Sequence, residues 1–181
     1  MTPSPPRRRT LLALAVAAAL AAGASACGTE NTPAKTTAAD STGKGSVSKD
    51  GIEVNTIGDK KIRVPGDKPT ALFFFSVGCG ECAGGAKSLA TAGKELNGTA
   101  GVLAVDMDPS ESPQTIRQFL DYIKAPELPA AIDTGAALSQ KYKVAALSTL
   151  IVVDPHGTVT YRATDPGPDQ IQAALKKAGA K

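Results

Sequence analysis

Two hydrophobic patterns alternate along the C-terminal two thirds of this 181-residue chain. In residues 52–65, IEVNTIGDKKIRVP, apolar and polar positions alternate on either side of Gly58-Asp59, which predicts a β-hairpin. TALFFFSV, starting at Thr70, is apolar without a break, as in a strand covered on both faces of an α/β sheet. The spacing of Cys82, Ala86, Leu89 and Leu96 puts them near one face of a helix over residues 81–96, ended by Asn97-Gly98. GVLAVD, from Gly101, predicts a second buried strand. Ser112 caps the next helix and Pro113 opens it, with Ile116, Phe119, Leu120 and Ile123 on its buried face. A short helix over residues 136–142 leads to the strand STLIVVD from Ser148. Across the turn Asp154-Pro155-His156-Gly157 lies a further strand, TVTYRA, from Thr158. A last helix, residues 168–178, buries Ile171, Ala174 and Leu175.

This succession predicts an α/β fold: a small mixed β-sheet with helices on both faces and an N-terminal β-hairpin. Tryptophan is absent, so leucine, isoleucine, valine, phenylalanine and alanine must fill the core.

The N-terminal third has a different character. Arg7, Arg8 and Arg9 precede an Ala/Leu-rich run, residues 10–26, which together form the n-region and h-region of an export signal. The run is too short and too rich in alanine to be a comfortable span of ~20 strongly apolar residues. Its end, Ala24-Ser25-Ala26 before Cys27, resembles the lipobox of bacterial lipoproteins, which implies lipidation of Cys27 and a membrane anchor. The alternative is cleavage after an A-x-A site, leaving a secreted protein with a free Cys27; a lipid would remove that odd thiol. Residues 27–50 have almost nothing apolar to bury and read as a disordered tether, giving a reach of roughly 25 Å. The expected organisation is a lipoprotein signal peptide over 1–26, a tether over 27–50 and one domain over 51–181.

Charge alters the picture once the signal is removed. The chain has 20 Lys+Arg and 17 Asp+Glu; loss of three arginines leaves 17 of each. No basic patch with interleaved aromatics remains, which argues against a nucleic-acid partner.

The segments LFFFSVGCGEC, GVLAVDMD and YKVAALSTLIVVDPHGTV, in that order, resemble the thioredoxin-like superfamily. Within it they are similar to the membrane-anchored TlpA-like thiol-disulfide oxidoreductases with an N-terminal hairpin, over residues 51–178. The resemblance implies a protein-disulfide reductase at the outer face of the cytoplasmic membrane, with a Cys79-Cys82 redox disulfide and no cofactor. The implied partners are exported proteins with cysteines or disulfides, an electron donor, and the membrane through an N-terminal lipid; the chain is expected to be a monomer. Some relatives serve the maturation of c-type cytochromes. Relatives carry a cis-proline facing the disulfide just before a threonine. Here those positions are Ser148 and Thr149, which are therefore expected in the substrate groove. The Leu147-Ser148 bond is then either trans, with a reshaped groove, or cis at a cost of ~3–4 kcal/mol. Gly78 replaces the relatives' tryptophan, and Gly85 replaces an acid three positions past the second cysteine.

Spacing supports redox chemistry independently. A helix opening at the motif would place Cys79 at its N-terminus and Cys82 one turn on, near the ~3.5–4.5 Å that a disulfide requires between Cβ atoms. Unpaired amides and the helix dipole favour a thiolate at Cys79, and the thiolate is the attacking species. Cys79 is thus the nucleophile and Cys82 the resolving thiol. Glu81 opposes the dipole by about 1 kcal/mol in a watery setting, close to the energy of one pKa unit, and should make the couple more reducing. Gly84 and Gly85, each ~1 kcal/mol worse than alanine in a helix, predict a loose first turn.

Other readings stay open. The cysteines could form a static disulfide, as exported chains often do, or half of a zinc site, although the chain offers, besides these two thiolates, only one distant histidine. A redox-inactive binding module carrying Cu(I) on Cys79 and Cys82 is the second function, encouraged by loss of the proline that shields the thiols from metals in relatives. Met1 and Met107 are the only methionines, so a copper site would be under-liganded. His156 reads as a solvated turn residue, and Asp106 and Asp108 as solvated carboxylates at a strand end. Ser76-Val77-Gly78-Cys79 resembles the T-x-x-C of peroxiredoxins with serine for threonine. Leu72 occupies the place of the preceding proline, which argues against a peroxidase.

Overall fold

A computed structural model describes residues 51–181; the signal, the tether and Cys27 lie outside the described residues. The alternating segment forms strands β1 (Ile52–Asn55) and β2 (Lys61–Val64), antiparallel, with Ile52 opposite Val64 and Asn55 opposite Lys61. Asp59 takes the left-handed backbone its turn requires, φ 59°.

The unbroken apolar segment forms β3 (Thr70–Phe75), every residue of which is buried. It is central in a five-stranded sheet of order β5-β4-β3-β6-β7. β4 (Gly101–Asp106) runs parallel to it, β6 (Thr149–Val153) antiparallel, and β7 (Val159–Thr164) returns antiparallel to β6. The fold is thus the expected mixed α/β sheet preceded by a hairpin. β5 (Ala130–Ile132) is an addition that no pattern announces. Three residues are too few to show a period, and the strand exists through its parallel register with β4, Ala104 opposite Ala130 and Asp106 opposite Ile132.

Because side chains alternate along a strand, β3 serves two layers. Ala71, Phe73 and Phe75 pack with helices α1 (Cys82–Glu95), α2 (Pro113–Tyr122) and α4 (Pro168–Lys177). Leu72 and Phe74 pack on the other face with Val54 and Val64 of the hairpin and with Leu138 of α3 (Ala137–Lys141). Phe73, Phe74 and Phe75 are all fully buried; each contributes about 1.5–3 kcal/mol relative to an exposed position. That is why β3 holds the segment that follows it in a fixed place. Ser112 caps α2 as expected, its hydroxyl accepting the Thr115 N–H. No helix among the described residues is long and apolar enough to cross a membrane.

Candidate active site

The chain leaves β3 at Phe75 and closes two successive turns. The Cys79 N–H donates to the Ser76 carbonyl, and the Cys82 N–H donates to the Cys79 carbonyl, both at 3.1 Å. The cysteine motif is therefore a pair of tight turns ahead of the helix. α1 begins at Cys82, with Glu81 at its N-cap making no side-chain cap bond. The helix expected to open at the motif therefore starts one turn later, and the Cys79 and Cys82 amides are satisfied by i to i+3 bonds instead. Cys79 still stands just off the positive end of α1. The spacing has the predicted result: the Cα atoms are 5.4 Å apart and the sulfurs are joined, S–S 2.16 Å.

The two cysteines differ in access. Cys82 is fully buried in the helix-side layer, whereas Cys79 is partly exposed. Cys79 lines a groove of about 410 Å³ between the motif and α2, with Val77, Ala83, Phe119 and Tyr122 among its walls. Among the described residues no charged side chain lines it, and Tyr122 stands 76% exposed at its edge. Glu81 is exposed to solvent.

Ser148 and Thr149 do not line this groove. They lie at the start of β6, where Thr149 pairs with Phe74 near the end of β3. The cis peptide bond among the described residues is Val64-Pro65, so Leu147-Ser148 is trans. Its substitute for a proline kink is a left-handed Ser148, φ 59°, a conformation uncommon for non-glycine residues. Asp165 fixes it: the Ser148 hydroxyl donates to Asp165 Oδ1 at 2.5 Å, and the Asp165 N–H donates to the Ser148 carbonyl at 3.1 Å. The Thr149 hydroxyl donates to the Ala146 carbonyl. The one proton of each hydroxyl is thus already donated within the protein.

His156 is an exposed turn residue, as expected, with its N–H donating to Asp154. Asp108 is half-buried and accepts the Ser110 N–H and hydroxyl; the hydroxyl bond, then the amide bond, hold its carboxyl below the usual range.

Asp106 departs from the solvated reading: it is fully buried. β5 is the reason, since it converts the end of β4 from an edge into an interior position flanked by Phe75 and Ile132. Asp106 Oδ1 accepts the Asp108 N–H at 3.0 Å, but Oδ2 has no partner. Burial pushes its pKa up to about 6; the Asp108 amide opposes this, and the carboxylates of Glu111 and Asp108 add to it. A carboxyl raised above its unfolded value costs nothing where both states are protonated, and its full penalty appears above the folded pKa. Stability should therefore fall as pH rises from about 4 to about 6, by up to ~3 kcal/mol. Asp106→Asn, which keeps the acceptor for the Asp108 amide, is expected to gain on wild type over that window. Urea unfolding at about pH 4 and about pH 7 checks this; an equal gap at both would refute it.

Glu111 carried no sequence signal. Among the described residues no three of histidine, cysteine, aspartate and glutamate converge as a metal site, so the two sulfurs are the soft donors that the site offers.

The model of the AhpC/TSA family matches residues 37–162. The chain belongs to the AhpC/TSA family. A Streptomyces lividans protein named "Mercury resistance operon ORF3" is 72% identical over 130 residues, covering 70% of this chain and 69% of that one. Among solved structures, the pneumococcal exposed lipoprotein thioredoxin Etrx1 of Streptococcus pneumoniae superposes with a TM-score of 0.61 at 20% identity, over 70% of this chain and 98% of that one. A secreted Mycobacterium tuberculosis disulfide oxidoreductase gives a TM-score of 0.58 at 14% identity, over 70% and 95%. The fold of this AhpC/TSA member is accordingly thioredoxin-like. Family, fold and the Cys79–Cys82 pair together mark it as a thiol-disulfide oxidoreductase.

Proposed function

We propose that this protein reduces or isomerises disulfides of exported proteins at the outer face of the cytoplasmic membrane, held there by a lipid on Cys27 and a tether over residues 27–50. Cys79 attacks the substrate disulfide and Cys82 resolves the mixed disulfide; an electron donor then restores the dithiol. Ser148 and Thr149, which lie outside the walls of the Cys79 groove, would meet a substrate only where it extends beyond that groove. The observation that carries the reading is the inequality of the two sulfurs, one at a groove and one fully buried, which suits an attacking thiolate and a protected partner. Two structures of the same fold come from proteins described as an exposed lipoprotein and a secreted oxidoreductase, which supports an extracytoplasmic place. Glu81 beside the motif favours the reducing direction. Titration in glutathione buffers, read by thiol alkylation, is expected to give a reversible two-electron couple well below the ~−120 mV of the most oxidising relatives. A potential near that value would reject the reducing role.

A second reading is favoured by the name of the Streptomyces lividans relative: the reduced pair captures Hg(II), a soft cation suited to thiolate ligands. One Hg(II) retained per reduced chain through gel filtration in excess glutathione, and none per oxidised chain, would support capture. Loss of the metal to glutathione would leave exchange alone.

A further inference from the structure

The turn that carries Cys79 is held from a distance. The Ser76 hydroxyl donates to Glu111 Oε1 at 2.8 Å across 35 residues of sequence. The Val77 N–H donates to both oxygens of the same carboxylate, at 2.9 and 3.0 Å. The Ser76 hydroxyl oxygen then accepts the Gly78 N–H at 3.2 Å, and the Ser76 carbonyl accepts the Cys79 N–H. A single carboxylate is thereby connected to every residue from Ser76 to Cys79. Beneath it lies buried Asp106, opposite Phe75 in the sheet and beside the Glu111 carboxyl.

We propose that Glu111 is the positioning residue of the redox turn, holding the Cys79 sulfur where Cys82 can reach it in the reduced protein as well as in the oxidised one. The inference rests on reading Cys79 and Cys82 as a working couple. Forming the internal disulfide releases two electrons and two protons to the acceptor; with glutathione, the dithiol and one oxidised glutathione give the disulfide and two reduced glutathiones. None of the Glu111 bonds involves sulfur, so they persist when the S–S bond breaks. The turn then does not have to be ordered anew at each closure, and preorganisation of this kind raises the effective concentration of one sulfur at the other. Bonds to a charged acceptor are the strong ones.

The test uses Glu111→Ala and Glu111→Gln in the full chain, with three readouts: the closure equilibrium against glutathione, the pH profile of Cys79 alkylation, and hydrogen exchange at the Val77 amide. Glu111→Ala is expected to weaken closure roughly tenfold, to shift the alkylation profile and to speed Val77 exchange. Glu111→Gln, which keeps one carbonyl acceptor, should move all three in the same direction by a smaller factor. If Glu111→Ala fails to fold, the glutamine variant decides alone. Closure and alkylation within about twofold of wild type, with Val77 exchange accelerated, would reduce Glu111 to a structural brace and overturn the inference. A wild type with no reversible couple would overturn the exchange reading itself and this inference with it; a sound wild-type couple that the variants leave unmoved overturns the inference alone.

Discussion

Cys79→Ser is expected to abolish protein-disulfide exchange, by roughly 10³-fold or more, as loss of a covalent nucleophile does. A serine hydroxyl does not ionise at neutral pH and cannot form a mixed disulfide, and among the described residues no second sulfur is available at the groove, since Cys82 is fully buried. Cys82→Ser should behave differently. Its Cys79 remains partly exposed beside Val77 and Tyr122 and can still attack, but nothing then expels the substrate. Mixed disulfides with substrate should accumulate and run as adducts on non-reducing gels, while turnover is lost. The burial of residue 82 adds a stability effect, because a serine hydroxyl in that apolar layer costs about 1–3 kcal/mol when unpaired. Substantial turnover by Cys79→Ser, or adducts trapped by that variant instead of Cys82→Ser, would reverse the assignment.

Gly85→Glu is expected to unfold or nearly unfold the domain, although it introduces the acid that the resemblance to TlpA-like proteins implies at this place. A Cβ at Gly85 would lie 2.3 Å from Cζ and 2.4 Å from Cε2 of Phe73, and Phe73 is fully buried in the central strand. The ring cannot retreat into a close-packed layer without moving its neighbours. Gly85→Ala isolates the steric part: overpacking costs about 1–3 kcal/mol, against ~1 kcal/mol gained in helix propensity, for a net loss of up to ~2 kcal/mol. Glutamate adds a carboxylate with no partner in that layer, several kcal/mol more, on the scale of the 5–15 kcal/mol that holds a typical domain together. Gly84 is the control: a Cβ there meets nothing within 4 Å, so Gly84→Ala should gain about 0.5–1 kcal/mol. Urea unfolding of the two alanine variants decides the matter. If Gly85→Ala proves more stable than wild type, the contact with Phe73 is not what keeps residue 85 a glycine.

Of the two glycines in the first turn of α1, Gly84 stands in open space; Gly85 is where the helix lies against the ring of Phe73, and its missing side chain permits the approach. An acid there would give a packing defect.

The sequence by itself determined the cysteine pair at a strand end and the elements with a local hydrophobic pattern: the hairpin over 52–65, the two buried strands from Thr70 and Gly101, and the capped helix after Ser112. Each of these records the division of consecutive residues between water and core, which a short window displays in full. Tertiary structure decided the rest. β5 exists only because β4 lies beside it; by covering Asp106 it made a buried acid of what reads locally as a solvated strand end. The left-handed backbone of Ser148 depends on Asp165, 17 residues away, and the Cys79 turn depends on Glu111, 35 residues from Ser76. A hydrogen bond or a covered edge contributed by a distant segment leaves no periodic trace in the residues it acts on, because its energy is realised only after the chain has closed the intervening loop.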